Sequence, residues 1–375
     1  MIALETVQRA IAQASDYLSR QIKADGQFEY RLNLDTTIKV KAKYNILRHA
    51  GAIYALASAY QKHPDAALKT ALERAGNYLR NQSIAPLPGE ESLLAVWSDP
   101  KINGSNKPRQ AKLGGTGLGL VALLSLETIT PNFTPLAELQ GLGRFLVSMQ
   151  KADGGFYSKY IPSRGGRMED WQSLFYPGEA ALGLLMLYER DNAEVWLNTA
   201  YKTLEFLARS REQATDIPID HWALLATQKL FSLNILDRAA QNLLMTHAMQ
   251  ICEAILQTQV VSPQRPDYTG GFTKNGRVTP TATRLEGLLA AITFLPQEGD
   301  WHSRLETSIT AGIEFLLRSQ VKTGAFAGAF PRAIAKLKRD TPTARKFNRR
   351  VSEVRIDYVQ HALTALLQYA EVSAN

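Results

Sequence analysis

The feature that most constrains this chain is an alternation between two kinds of helical segment. One kind carries charge on a single face, as in Ala66-Ala67-Leu68-Lys69-Thr70-Ala71-Leu72-Glu73-Arg74, the mark of a helix with one side in water. The other is small and apolar nearly all round, as in Gly114-Gly115-Thr116-Gly117-Leu118-Gly119-Leu120-Val121-Ala122-Leu123-Leu124 and Gly287-Leu288-Leu289-Ala290-Ala291. Such a helix must be surrounded by protein, and its glycines and alanines let neighbours approach closely. Apolar periodicity predicts twelve helices, at Leu4–Ile22, Lys43–Gln61, Asp65–Gln82, Leu113–Thr128, Pro135–Gln150, Gly178–Arg190, Ala193–Arg211, Asp220–Leu233, Arg238–Gln259, Thr281–Phe294, Ser303–Gln320 and Ile356–Val372. Strand-type alternation of useful length is almost absent. The pair of one amphipathic and one buried helix recurs six times, at a spacing of roughly 55–65 residues. Six outer and six inner helices close into an all-α, (α/α)6 toroid. Irregular repeat lengths count against an open superhelix of stacked pairs.

The ends of the outer helices repeat as well. Tyr17-Leu18 precedes Gln21, Tyr78-Leu79 precedes Gln82, Phe145-Leu146 precedes Gln150 and Phe315-Leu316 precedes Gln320. Three of these run into a glycine turn with an aromatic: Asp25-Gly26-Gln27-Phe28, Asp153-Gly154-Gly155-Phe156 and Thr323-Gly324-Ala325-Phe326. A relative, Thr269-Gly270-Gly271-Phe272, follows Gln259. Glycine permits the left-handed turn and the aromatic anchors it. The pattern resembles the glutamine-aromatic repeats of the terpenoid cyclase and protein prenyltransferase α/α-toroid superfamily, and is similar to six-hairpin glycosidases and uronyl epimerases. That resemblance implies the toroid and leaves the reaction open.

The chemistry of those relatives leaves different marks. Terpenoid cyclases use an aspartate-rich acid motif, and nothing like Asp-x-Asp-Asp occurs here. Zinc sites of the prenyltransferase type need cysteine and histidine, whereas the single Cys252 sits mid-helix with no matched partners. His49, His221 and His361 lie on different predicted helices, so no metal site and no cofactor is expected. The run Gly114–Gly119 has no strand before it and no Gly-Lys-Ser/Thr after it, which makes it a packing helix rather than a nucleotide loop.

With 375 residues, 45% of them hydrophobic, one large core over residues 1–375 is expected, in a single toroid domain. No stretch reaches the roughly 18 apolar residues of a membrane span, and Met1-Ile2-Ala3-Leu4-Glu5 lacks a signal peptide's basic start, so the expected location is cytoplasmic. The net charge of +8 is local: Val321–Arg355 holds ten Lys/Arg against Asp340 and Glu353, and the remainder balances at 33 against 33. This segment, 321–355, reads as a basic loop or lid insertion facing water, an anionic polymer or a membrane surface; no nucleic-acid partner is expected.

Polar residues gather where inner helices begin. Met168-Glu169-Asp170-Trp171-Gln172-Ser173-Leu174-Phe175-Tyr176-Pro177-Gly178-Glu179 leads into one of them. Pro177 suits a first turn and Glu179 the positive end of the dipole. Taken alone, this is a capping carboxylate with packing aromatics. The same happens elsewhere: Tyr44, Arg48 and His49; Lys112; Trp171, Tyr176 and Glu179; Asp220, His221 and Trp222; Arg284 and Glu286; Asp357, Gln360 and His361. In a toroid every inner helix runs the same way, so these clusters converge on one bowl. Burying polar groups costs several kcal/mol unless they are paired, which suggests use.

Acids, aromatics and bases around a bowl suit an anionic saccharide, with rings stacking on sugars and arginine holding a carboxylate. The sequence therefore points first to a glycosidase, whose two carboxyls stand roughly 6.5–9.5 Å apart for inversion or about 5–5.5 Å for retention. Glu179 and Asp357 lead as acid and base, since neither has an arginine immediately beside it, with Asp220 and Glu286 as further candidates. A uronate lyase or C5-epimerase, using His49, Tyr176 and Arg48 for proton abstraction, is the alternative, and a non-catalytic glycan, lipid or protein binder the rival class. The long connections Ser83–Ala111, Lys151–Phe175, Val260–Pro280 and Val321–Arg355, expected without regular structure, all fall at the bowl's end.

Overall fold

Six helices stand side by side in a closed inner ring: α2 (Ile46–Lys62), α5 (Leu113–Glu127), α7 (Tyr176–Asp191), α9 (His221–Ser232), α11 (Val278–Ala291) and α14 (Ile356–Val372), with α14 returning to pack on α2. Outside them lie α1 (Leu4–Arg20), α3 (Ala66–Ser83), α6 (Leu136–Ser148), α8 (Glu194–Arg211), α10 (Arg238–Leu256) and α12 (Asp300–Ser319). The computed structural model describes residues 2–41 and 43–374. The expected (α/α)6 toroid is what forms, and the helices fall within a few residues of their expected bounds. Two short helices, α4 (Pro100–Asn103) and α13 (Pro342–Asn348), lie in connections. No helix among the described residues is long and apolar enough to cross a membrane.

The inner ring follows from its sequence. Every residue of α5 is buried, so no stripe of it needs water. Small residues bring its backbone against α7: a side chain on Gly183 would stand 2.8 Å from the Gly117 carbonyl. Helix starts are marked by side chains that accept otherwise orphaned amides, as where Asp65 takes Leu68 N at 2.7 Å and Asp237 takes Ala240 N at 2.8 Å.

Three of the repeated glutamines clasp neighbouring outer helices, whereas Gln21 Nε2 donates back to Tyr17 O of its own helix at 3.0 Å. Gln150 Nε2 at the end of α6 donates to Thr199 O of α8 at 2.9 Å, Gln259 to Ser308 O of α12 at 2.8 Å, and Gln320 to Ala10 O of α1 at 2.8 Å. The glycine turns work with them. Gly26, Gly154, Gly270 and Gly328 have φ of +88°, +93°, +88° and +90°, and each lies against a backbone carbonyl of the next outer helix, leaving no room for a Cβ. The fourth turn is thus Gly328-Ala329-Phe330 rather than the expected Thr323-Gly324-Ala325-Phe326: Gly324 stands in open space, and Phe330 is the buried anchor. Gln82 is exposed and makes no such clasp. There Arg80 ties α3 to Glu138 of α6, at 2.8 Å, instead.

All outer-to-inner connections lie at one end, and two of them hold a sheet that the sequence did not announce. β2 (Ile84–Leu87), β3 (Glu90–Ser98), β4 (Gln110–Lys112), β5 (Lys159–Ile161) and β6 (Gly166–Arg167) pair antiparallel in that order, with Ala111 opposite Tyr160. Most of these strands have two to four residues, too short for alternation to show. A second pair joins the first connection to the last: β1 (Arg31–Asn33) runs antiparallel to β7 (Glu353–Arg355). The basic segment is tied down by Val278 N to Arg332 O at 3.1 Å and Ile334 N to Gly276 O at 3.0 Å, and by a small apolar cluster of Ala333, Phe347 and Val351.

Candidate active site

The mouth of the inner ring holds a cavity of about 670 Å³ to which all six inner helices contribute. Arg48 comes from α2, Leu118 from α5, Tyr176 and Glu179 from α7, His221 and Trp222 from α9, Thr279, Thr283 and Arg284 from α11, and Asp357, Gln360 and His361 from α14. Widely separated first turns meet here because every inner helix points the same end at the opening.

Two histidines face each other across one wall, with ring centroids 5.6 Å apart and edge-on planes. His361 Nδ1 lies 2.8 Å from Glu286 Oε2, which leaves its Nε2 for a ligand. Burial alone would depress His361, but the Glu286 carboxylate beside it, with Asp357 further off, holds its proton affinity above the ordinary histidine value. His221 goes the other way. Burial, then the neighbouring His361 and Arg284, push it well below the usual range, so it is a neutral imidazole, and its Nε2 makes no hydrogen bond. It packs edge-on to Phe175 at 5.1 Å and beside Trp222 at 5.2 Å.

The carboxyls sort by environment. Glu179 is buried, raised well above the carboxylate range by burial and then by the charge of Asp220, and its Oε2 has no partner. Burial thus favours its protonated form. Gly114 makes its space, since a side chain there would overlap Glu179 Oε2 and the Tyr176 ring. Asp357 is the opposite case: burial would raise it, yet Arg48 Nε at 3.0 Å from Oδ2 and Arg355 Nη2 at 2.7 Å hold it below the ordinary range. The expectation that Asp357 stands free of arginine is therefore corrected. Both its oxygens are held, by a residue two places earlier and by one on the neighbouring helix α2. Glu286 supports His361 from beneath and does not line the cavity; burial raises its own proton affinity.

Other expected residues have structural positions. Asp220 is fully buried as the cap of α9, accepting Ala223 N at 3.1 Å and pairing with Arg211 at 3.1 Å, away from the cavity. His49 follows Arg48 by one residue, about 100° round the helix, and points outward: Nε2 meets Ala75 O of α3 at 2.9 Å and Nδ1 meets Tyr44 OH at 2.7 Å. Burial lowers it to about 4. Tyr44, likewise, is spent on His49 and Phe28 N and does not reach the cavity. Trp171 lies outside, partly exposed under Lys159 Nζ at 3.9 Å and edge-on to Tyr176 at 5.6 Å. Lys112 also stays off the lining, its ammonium disfavoured by burial and by Lys107 and Lys159.

Among the residues that the sequence reading passed over, Arg355, Arg277, Thr279 and the carboxylate Asp216 belong to this lining. Arg355 lay within the basic count, and its spacing from Asp357 was the only available signal. Arg277 and Thr279 flank the start of α11. Among the described residues neither Arg277 nor Arg284 has an acidic partner, and Arg277 Nε, Arg284 Nε and Thr279 Oγ1 make no hydrogen bond. Burial and then the nearby Arg277 lower Arg284. Two mutually repelling guanidiniums at one wall make an anion-seeking surface.

His221, Glu286 and His361 also present ligand atoms within 4.8 Å of one another, so they are the set that could hold a metal, with the His2Glu composition of many catalytic zinc sites. A metal there would have to displace the Glu286–His361 hydrogen bond.

No protein-family model and no curated protein sequence matches this chain. Solved structures do. A cellobiose 2-epimerase from Bacillus thermoamylovorans superposes with a TM-score of 0.71 at 10% identity, over 98% of this chain and 99% of that one. A D-mannose isomerase gives 0.69 at 11% identity, over 98% and 97%. An unsaturated glucuronyl hydrolase specific for heparin gives 0.65 at 12% identity, over 100% and 99%. The fold is thus that of the six-hairpin α/α-toroid enzymes, a scaffold that these structures use for saccharide chemistry.

Proposed function

We propose that this chain is a sugar epimerase or isomerase that moves a proton next to a carbonyl. The observation that carries the reading is the pair of histidines 5.6 Å apart in the ring's mouth, with proton affinities driven in opposite directions. Neighbouring groups whose environments separate their pKa values are the usual sign of an acid and base pair. Neutral His221 takes the C–H proton beside the carbonyl of an open-chain sugar, and the electron pair moves onto the carbonyl oxygen as an enediolate. The His361 imidazolium returns a proton to carbon from its own side, and Glu286 fixes its orientation. Arg48, already bonded to Tyr30 OH at 2.6 Å and to Asp357, stands where it can stabilise the developing oxyanion. Arg277 and Arg284 take a carboxylate or other anionic substituent. The solved epimerases and isomerase of the same fold act on sugars by name and support this assignment. A cytoplasmic site of action is part of the proposal, in keeping with one buried, unpaired cysteine.

A hydrolytic reading rests on Glu179, a neutral buried carboxyl in the same cavity that could protonate a glycosidic oxygen. Its weakness is the base: Asp357 has both oxygens engaged by arginines.

One experiment separates these readings. Neutral and uronic reducing saccharides are incubated with the protein in D2O and followed by NMR. Deuterium entering beside the carbonyl, with a new epimer or ketose, is expected, and His221→Asn and His361→Asn should each abolish it. A new reducing end without exchange assigns hydrolysis; neither change removes the enzyme reading.

A further inference from the structure

A second cavity, of about 650 Å³, adjoins the first. Its walls are the connection before α11 and residues 337–339 of the basic segment, and Arg277 lines both cavities. Around it stand five cations, Arg265, Lys274, Arg277, Lys338 and Arg339, and among the described residues no carboxylate lines it. Asp267, next to it, is already taken by Arg265 at 3.0 Å. Arg277 Nε and Asn275 Oδ1 are buried without hydrogen-bond partners. The groove is built rather than draped: Arg277 bridges Ala333, Ile334 N bonds Gly276 O at 3.0 Å, and Gly276 is pinched between Ile334 and Tyr268.

We propose that the substrate is an anionic oligosaccharide whose chain passes from the central cavity over Arg277 into this second cavity, where an acidic sugar further along the chain is held. The identity of the chain rests on the sugar reading above; the existence of the site does not. Apart from Arg265, which Asp267 pairs, the four remaining cations have no counter-charge on the lining; like charges repel one another, and an anionic ligand relieves that repulsion. Ser262, Thr273 and Asn275 between the cations offer hydrogen bonds of the kind that hydroxyls take. The alternatives fit less well. A flat lipid surface cannot follow a concave path into the ring, and single-stranded nucleic acid needs open aromatic faces, whereas Tyr268, the aromatic that lines this cavity among the described residues, is buried under Arg265 at 3.8 Å. In this reading the basic segment is one wall of a substrate groove, which gives the expected loop or lid at 321–355 its purpose.

The test is equilibrium binding by calorimetry to polyuronate or sulfated disaccharides, tetrasaccharides and hexasaccharides, with neutral oligosaccharides of equal length as controls. Wild-type affinity should rise from the disaccharide to the tetrasaccharide, only for the anionic series, and fall with added salt. Lys338→Glu/Arg339→Glu, both exposed, should cost about tenfold or more in affinity for the tetrasaccharide and leave disaccharide binding and turnover unchanged. Lys274→Glu, on the opposite wall, should do the same independently. Absence of length dependence, or variants that bind the tetrasaccharide as well as wild type, overturns the proposal. So does preferential, variant-sensitive binding of single-stranded DNA or of vesicles rich in anionic lipid. Length-dependent binding without any turnover would sink the epimerase reading while leaving the groove intact.

Discussion

Glu286→Gln keeps the shape of the side chain beneath the histidine pair and removes its charge. Glu286 is 1% exposed and its Oε2 sits 2.8 Å from His361 Nδ1, so water screens the interaction little. Hydrogen bonds to charged groups contribute about 1.5–3 kcal/mol, which corresponds to a roughly ten- to hundredfold weaker hold on the imidazolium proton once the carboxylate is gone. The sign follows from His361 being raised in the folded protein. Its charged form adds stability that is complete below the unfolded histidine value and is lost as pH rises through the raised folded value. In the variant burial dominates, so the imidazole becomes neutral at lower pH. The descending alkaline limb of kcat/KM should therefore move toward acid, and turnover near neutrality should fall by a similar ten- to hundredfold with KM little changed. NMR titration of the His361 Cε1–H, assigned by comparison with His361→Asn, reads the same quantity without turnover. A titration identical in wild type and variant would mean that Glu286 is protonated in the native protein and that His361 is not the stored acid.

Three further outcomes follow from the geometry. Glu179→Gln should flatten the pH dependence of thermal stability: a carboxyl raised by burial favours the folded state at low pH and penalises it as pH climbs, so the amide variant gains on wild type in alkali, and an equal offset at every pH refutes the neutral acid. Asp220→Asn strips Arg211 of its buried partner and should cost about 3–5 kcal/mol in urea unfolding while kcat at low temperature stays near wild type; a selective loss of kcat would return Asp220 to the chemistry. Gly328→Ala should cost about 1–3 kcal/mol from overlap with the Gln13 carbonyl in addition to its positive φ, measurably more than Gly324→Ala, which meets open space; equal losses would mean that the turn does not clasp α1.

The ring was legible in the sequence because burial on all sides leaves a compositional trace. No other arrangement accommodates six segments like Gly114–Leu124 so economically, and the glutamine turns announce where one hairpin meets the next. The sheet was not legible, since three-residue strands such as Gln110–Lys112 are fixed by partners in another connection rather than by their own alternation. At the site, helix entrances directed attention to His221, His361, Arg48 and Glu179, and these four share one cavity. Orientation within an entrance was beyond the reading: Arg48 and His49 are adjacent in sequence, yet one reaches the cavity and the other points out to α3. Charge state was beyond it too. Asp357 looked unencumbered because Arg48 lies far from it in sequence and Arg355, two places earlier, is not immediately beside it. Arg277 escaped notice because its importance comes from the lack of an acidic neighbour, a property of space and not of sequence.

The clasp of Gln320 on Ala10, the overlap-free seat of Gly328 on Gln13 and the pairing of β1 with β7 all join the beginning of the polypeptide to its end. A ribosome making this protein finishes the first five hairpins while the wall that carries Asp357 and His361 is still unmade, so the cavity closes only when α14 arrives. Until then the apolar flank of α2 waits for α14 with nothing over it, and the nascent chain at that stage is the form most in need of chaperone cover.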